Sequence, residues 1–320
     1  MNIAIFTSGG DCAGMNPAIK TFVEECYKRD ITPYLIYDGL EGLIDNQIKK
    51  AEHSDVSGII YRGGTILRSS RSKRFFEYEF RQQAFENLKL HHIEKLIVLG
   101  GDGSFRALDA FYDDFGIDFI GIPSTIDNDI YGTEYCLGVD TALNVIREAI
   151  DDIRDTASSF KRAFVIETMG RECGYLALIS ALTCGAEVCI IPELNYNLHS
   201  LGDKLKQEVK EGRTYAIAVV AEASDMSEKI EHWFEEEIGF ESRITKLGHI
   251  QRGGNPTVYD RLIAAEFVIF SLDRLMQTSD NHHAIVFKGG RFDFINIQTV
   301  SEGTYTIKPE LLKMGQLLCK

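Results

Sequence analysis

Positive charge is scarce in this chain. Against 48 acidic side chains stand 34 lysines and arginines, so the 320 residues carry a formal net charge of −14. Long-range attraction to nucleic acid or anionic lipid is unfavourable for such a chain. Neither is expected as a partner, and any anionic substrate needs a local arginine pocket. Long apolar runs are missing too: no stretch of about 18 apolar residues marks a membrane span. Ile3 to Phe6 opens a strand-like run without the basic segment and long apolar stretch of a signal peptide, so the expectation is a cytoplasmic protein. The seven cysteines, Cys12, Cys26, Cys136, Cys173, Cys184, Cys189 and Cys319, are odd in number and show no C-x-x-C spacing. They read as reduced thiols, buried as small apolar residues. A G-x-x-x-x-G-K-[ST] sequence is absent, which excludes the P-loop class on its own signature. There is no Gly/Ser-rich or Pro-rich linker and no fixed-period repeat. Two lobes joined by several chain crossings fit better than two beads on a string.

What is present is an alternation of short β-branched runs with longer amphipathic ones. Strand-like segments are Ile3–Thr7, Pro33–Tyr37, Lys95–Leu99, Phe119–Ile122, Ala163–Glu167 and Ala216–Val220. Helical periodicity runs over Asn16–Lys28, from about Gly138 to Phe160, and from about Val258 to Met276. Strands alternating with helices imply parallel sheets covered on both faces, an α/β protein. One echo stands out: Ile3–Asp11 and Leu96–Asp102 each read as an apolar strand followed by Gly-Gly-Asp.

In open α/β sheets, ligands bind beyond the carboxyl ends of strands, where loops lead into helix N-termini. Exposed amides, the positive end of the helix dipole and glycine's lack of a side chain make such turns anion sites. Either Gly-Gly-Asp turn alone is as well read as an ordinary tight turn. The pair, with Asp102 adding an oxygen ligand of the kind Mg²⁺ prefers, points to phosphate and metal. After the run Phe119–Ile122 comes Pro123-Ser-Thr-Ile-Asp-Asn-Asp129, and phosphorylation of an alcohol needs a carboxylate to accept the hydroxyl proton. Asp127 is the choice, with an Asx turn at Asp127 and Asn128 as the alternative. Arginine's planar fork suits a sugar phosphate; Arg71, Arg162, Arg171, Arg243 and Arg252 are the candidates. Glu222, after Ala216–Ala221, suits sugar hydroxyls or a surface salt bridge.

In chain order, Thr7-Ser-Gly-Gly-Asp11, Gly14-Met-Asn16, Arg62-Gly-Gly-Thr65, Gly100-Gly-Asp-Gly-Ser104, Pro123-Ser-Thr-Ile-Asp-Asn-Asp129, Met169-Gly-Arg171 and Gly248-His-Ile-Gln-Arg-Gly-Gly254 resemble the bacterial ATP-dependent 6-phosphofructokinase family. The resemblance runs from the N-terminus to about residue 275. It implies two similar three-layer αβα lobes with mostly parallel sheets: a donor lobe of residues 1–138 plus about 252–305, and a fructose 6-phosphate lobe of 139–251 plus about 306–320. By the same carry-over, Gly10, Arg71, Ser72, Gly101, Asp102, Gly103 and Ser104 would hold ATP, and Asp102 would position Mg²⁺. Asp127 would accept the proton, with Arg171, Gly10 and Thr125 completing the catalytic set. Thr125, Ile126, Asp127, Met169, Gly170, Arg171, Glu222, His249, Ile250, Gln251 and Arg252 would bind fructose 6-phosphate. Arg162 and Arg243 would reach the sugar phosphate of a neighbouring subunit in a homotetramer with shared active sites.

The chain departs from the family in ways that bear on donor and control. Ser124 stands where ATP-using members have glycine and pyrophosphate-using relatives have lysine. Gly103 is kept where those relatives carry a second aspartate, which favours ATP and leaves a pyrophosphate-dependent enzyme as the alternative. Leu40 and Ser72 replace aromatics of the adenine region. At the site for the effectors ADP and phosphoenolpyruvate, Arg154, Glu187 and Arg213 match the family set and Lys20 replaces an arginine, but Glu24 and Glu211 stand where cations are usual. Weak or altered allosteric control is therefore expected.

Overall fold

The structure, a computed structural model, describes residues 1–279 and 281–318, so the expected thiol of Cys319 lies outside the described residues. The strands in chain order are β1 (Asn2–Thr7), β2 (Thr32–Ile36), β3 (Ile48–Lys50), β4 (Lys95–Gly100), β5 (Asp118–Pro123), β6 (Ala163–Thr168), β7 (Val188–Ile190), β8 (Ala216–Ala221), β9 (Ser242–Lys246), β10 (His282–Lys288) and β11 (Arg291–Asn296). The helices used below are α1 (Met15–Lys28), α2 (Gly39–Ile44), α3 (Tyr78–Leu90), α4 (Asp102–Phe115), α5 (Val139–Phe160), α6 (Tyr175–Cys184), α7 (Leu198–Lys210), α8 (Ser227–Trp233) and α9 (Val258–Gln277).

The chain forms two compact units. The first comprises Met1–Thr125, Ile130–Thr141 and Arg252–Tyr305. Its sheet has the order β11-β10-β5-β4-β1-β2-β3. Pairing is parallel from β10 to β2 and antiparallel only at the edge pairs β10–β11 and β2–β3. The central strands bury every residue but the first, which is why β1, β4 and β5 read as continuous apolar runs rather than alternating ones. α1 buries Ile19, Phe22, Val23 and Cys26 at helical spacing and packs along α9.

The second unit comprises Ile126–Asp129, Ala142–Gln251 and Thr306–Lys320. Its parallel sheet has the order β7-β8-β6-β9. Val165, Ile190, Ala218 and Val220 on the strands meet Leu201 and Leu205 of α7 and Ile230 and Trp233 of α8 in one apolar cluster. Ile126–Asp129 groups with this unit, whereas the expected donor lobe ran unbroken through residue 138. The described cysteines are buried except Cys184, which is only half-buried, against the expectation for that thiol.

One buried carboxylate organises the first unit. Asp260 of α9 is fully buried and accepts hydrogen bonds from Tyr135 Oη (2.7 Å), Gly138 N (2.8 Å), Thr141 N (2.8 Å) and Thr141 Oγ1 (2.6 Å). It thereby satisfies amides at the start of α5, while Thr257 Oγ1 accepts from Asp260 N (3.2 Å) and caps α9. Burial pushes the Asp260 carboxyl above its ordinary range, and these hydrogen bonds oppose the shift.

Candidate active site

In the first unit, β1 and β4 run side by side with Thr7 opposite Leu99. The chain leaves β1 for β2 on one side, while β4 lies on the other. Such a switch point is where loops beyond the strand ends part to leave a crevice. Gly9-Gly10-Asp11 follows β1, and Gly101 leads from β4 into α4. The two turns are pinned to one another. Ser8 N donates to Leu99 O (2.9 Å), Ser104 Oγ to Ser8 Oγ (2.8 Å), and Ser124 N to Gly100 O (2.9 Å). Gly100 is required by close packing, since a Cβ there would lie 2.7 Å from Ser104 Cβ. At the start of α4, Ser104 N and Phe105 N donate to Gly101 O (3.0 and 3.1 Å). The amides of Asp102 and Gly103 are first-turn groups with no intrahelical acceptor, at the positive end of the dipole. Beside Gly103 there is open space to 4 Å.

Gly10 has a different neighbour. A Cβ on it would lie 2.7 Å from Arg252 Nη1, so the missing side chain leaves room for a guanidinium. Arg252 Nε is buried and makes no hydrogen bond among the described residues. A half-buried guanidinium with an unspent Nε–H, beside a glycine turn, suits an anion. Arg252, expected with the sugar set, belongs to the first unit and lies against Gly10. The loop that precedes Arg71 is held by side chains. Asn16, 1% exposed, donates to Arg62 O (3.2 Å) and Gly63 O (3.0 Å) and accepts from Ile66 N (2.7 Å). Thr7 Oγ1 donates to Arg68 O (2.7 Å), and Ser69 Oγ to Gly9 O (2.8 Å). Arg71 itself is exposed. Ser72, expected at the nucleotide, is buried, and its Oγ accepts from Phe75 N (3.1 Å), closing a local turn.

Asp102 lies 3.0 Å from Arg106 Nη2 and is partly exposed. Among the described residues no group of three or more His, Cys, Asp or Glu side chains forms a metal cage. A single carboxylate still fits Mg²⁺, which keeps several waters and takes most of its protein-side charge from one or two carboxylates plus substrate phosphates.

In the second unit, β6 lies between β8 and β9, and three turns leave the carboxyl ends of these adjacent strands. Met169-Gly170-Arg171 follows β6, Glu222 follows β8, and Gly248–Gln251 follows β9. The first turn is strained: Gly170 has φ 144° and Arg171, a non-glycine residue, has φ 51°. Its amides are captured, Gly170 N and Arg171 N by Glu222 Oε1 (3.2 and 2.8 Å) and Met169 N by Gln251 Oε1 (3.2 Å). Arg171 Nε then lies 3.1 Å from Oδ2 of Asp127, a carboxylate only 2% exposed. Asn128, at φ 52°, turns the chain immediately after it. Ile126 is buried, and Thr125 is half-buried and belongs to the first unit. His249 and Ile250 are exposed at the tip of their turn. Gln251, expected among the sugar contacts, is 1% exposed, and its amide also donates to Gly248 O (2.9 Å). Cys173, close to this turn, has its thiol pushed up to about 12 by burial, with the carboxylates of Glu193, Asp129 and Asp127 adding to the effect.

Arg162 and Arg243 converge on one carboxylate. Arg162 Nε lies 2.8 Å from Glu241 Oε2, and Arg243 Nη2 pairs with Glu241 Oε1. Of the expected effector residues, Arg213 is engaged by Glu187 (2.6 Å) and Glu208 (2.7 Å), and Arg154 donates to Cys184 O. Lys20, in the first unit, is ion-paired with Glu24. Sequence reasoning missed Asp260, Asn16 as a loop clamp and Glu241. Thr257-x-x-Asp260 does read as a capping box, and Asn16, a weak helix former near the start of α1, was a second available signal.

The family model described as Phosphofructokinase matches residues 2–275. The chain is 58% identical over 312 residues to a protein of Sulfurimonas denitrificans named ATP-dependent 6-phosphofructokinase, covering 97% of this chain and 98% of that one. A protein of the same name from Wolinella succinogenes is 51% identical over 319 residues, 99% of each chain. Among solved structures, phosphofructokinase from Saccharomyces cerevisiae superposes with a TM-score of 0.90 at 30% identity, covering 94% of this chain and 45% of the yeast one; this chain thus spans less than half of the yeast protein. A pyrophosphate-dependent phosphofructokinase from Marinobacter aquaeolei gives a TM-score of 0.82 at 19% identity, over 99% of this chain and 91% of that one, a likeness of fold alone.

Proposed function

Because the chain belongs to the phosphofructokinase family, we propose that it is an ATP-dependent 6-phosphofructokinase, converting ATP and fructose 6-phosphate to ADP and fructose 1,6-bisphosphate. The observation that carries the chemistry is the buried Asp127 carboxylate with Arg171 Nε at 3.1 Å. The 1-hydroxyl oxygen of the sugar forms a bond to the γ-phosphorus, the bond from that phosphorus to the bridging oxygen of ADP breaks, and the hydroxyl proton passes to Asp127. Arg171 compensates the charge of Asp127 while that charge is buried, and its remaining donors serve the charge that develops on the transferring group. Gly10, Arg71, the amides of Asp102 and Gly103, and Ser104 are the residues assigned to the nucleotide, which makes the first unit the donor lobe. Asp102 would hold Mg²⁺, which supplies neutralisation of phosphate charge when bound. Glu222, His249 and Arg252 are assigned to the sugar phosphate, with Met169 and Gly170 as the backbone of their pocket. Gly103, with open space beside it, supports a nucleotide rather than pyrophosphate, in line with the relatives named above.

The convergence of Arg162 and Arg243 on the half-exposed Glu241 supports a second, exposed cation pair. We assign it to the sugar phosphate of a neighbouring subunit in a homotetramer of this cytoplasmic enzyme. Control by ADP and phosphoenolpyruvate is proposed to be weak, because Lys20, Arg213 and Arg154 are already engaged by Glu24, by Glu187 and Glu208, and by a backbone carbonyl. No described helix is long and apolar enough to cross a membrane. Initial rates with fructose 6-phosphate and ATP, GTP or pyrophosphate test the whole reading. ATP is expected to support turnover and pyrophosphate not to, with half-saturation for the sugar moving less than about threefold in millimolar ADP or phosphoenolpyruvate. Turnover with pyrophosphate alone would reverse the donor assignment.

A further inference from the structure

The Met169–Arg171 turn has an unusual support. Its backbone is in a high-energy conformation, with Arg171 at φ 51°, and a non-glycine residue stays there only when its surroundings over-determine it. Two side chains do so. Glu222 takes the amides of Gly170 and Arg171, and it is exposed. Gln251 takes the amide of Met169 through Oε1 and gives its Nε2–H to Gly248 O at 2.9 Å, and it is 1% exposed. A side-chain amide accepts at its oxygen and donates at its nitrogen, so one group serves both turns. Buried and satisfied on both sides, Gln251 ties the turn after β6 to the turn after β9, and loss of either bond would leave a half-buried backbone group without this partner.

We propose that Gln251 is a positioning residue for phosphoryl transfer: its buried amide fixes the Met169–Arg171 turn and so aims the Arg171 guanidinium at Asp127. The inference rests on the function proposed above, in which Arg171 and Asp127 are the reacting pair. Misplacement of such a group by a fraction of an ångström to an ångström costs turnover far more than it costs binding. Gln251 does its work without touching the sugar.

The test begins with wild-type turnover of ATP and fructose 6-phosphate; no activity there sinks the functional reading itself, not this inference. With an active wild type, Gln251→Leu removes both hydrogen bonds and is expected to lower kcat about 10- to 100-fold while KM for ATP stays within about twofold. Gln251→Glu separates positioning from general structural damage. A buried carboxyl has a raised pKa, and when protonated it reproduces both bonds, accepting from Met169 N and donating to Gly248 O. Its kcat relative to wild type at the same pH is therefore expected to climb at least about fivefold between pH 8.5 and pH 6, whereas the Gln251→Leu ratio stays flat. Wild-type kcat in Gln251→Leu would overturn the proposal. So would a Gln251→Glu ratio that does not change with pH, which also decides the matter if the leucine variant does not fold.

Discussion

Replacing Asp127 with asparagine removes one charge and keeps the volume, and its two consequences differ in size. The carboxylate is 2% exposed, but its partner Arg171 keeps 49% of its side-chain surface in water. Solvent screening on that side limits the ion pair to about 1 kcal/mol of stability, so Asp127→Asn is expected to melt within about 3 °C of wild type. The effect on turnover is larger. A positioned general base contributes about 10²- to 10⁴-fold, which is about 2.7 to 5.5 kcal/mol of barrier. An amide has no lone pair basic enough to take the 1-hydroxyl proton as the new bond to phosphorus forms. Steady-state ADP release should therefore show kcat lower by at least about 10²-fold, with KM for both substrates within about threefold. If kcat falls by less than about tenfold in a variant that folds normally, Asp127 is not the proton acceptor, and its pairing with Arg171 serves structure alone.

Two further outcomes follow from close contacts. In Gly10→Ala the new methyl would meet Arg252 Nη1 at 2.7 Å, and the flexible side chain yields rather than the backbone. Stability should change by no more than about 1 kcal/mol, while kcat/KM for ATP falls about 10- to 100-fold; a value within twofold of wild type would remove Gly10 from the nucleotide site. The Cys173 thiol, pushed up to about 12 from its ordinary 9.0, should resist alkylation at pH 8 in the folded enzyme and react after unfolding. Because the folded state holds this proton more tightly, the stability it contributes is full below pH 9 and is lost as pH rises toward 12. Resistance to urea should accordingly drop between pH 8 and pH 10.5, and Cys173→Ala should reduce the drop.

Much of the site was readable from local pattern. Gly9-Gly10-Asp11 and Gly100–Ser104 announce themselves because a phosphate cradle needs small residues and free amides at a strand end, and both requirements are local. Asp127 was readable for the same reason, as a carboxylate placed just after an apolar strand. The local partners of Ser72 and Gln251 could not be read from sequence, because a side-chain hydroxyl or amide looks alike there whether it faces a ligand or a backbone group. Only the surroundings show that Ser72 Oγ accepts from Phe75 N and that Gln251 is spent on Met169 and Gly248. Asp260 went unread as a functional support because its four donors come from residues 119 to 125 positions away in the chain.

The sequence by itself determined the α/β class, the strands that form the sheet centres and the position of the two Gly-Gly-Asp turns. Apolar runs, helical periodicity and glycine placement all act over a few residues, where the chain's own stereochemistry decides the outcome. Tertiary structure decided strand order, and with it that the two Gly-Gly-Asp turns flank one switch point. It also decided that Arg252 sits against Gly10, that Arg162 and Arg243 share Glu241, and that Arg171 is bent toward Asp127 by Glu222 and Gln251. These contacts bring together residues from distant parts of the chain, and at Asp127 and Gln251 burial enforces them, because a buried charge or amide is costly unless something arrives to pair with it.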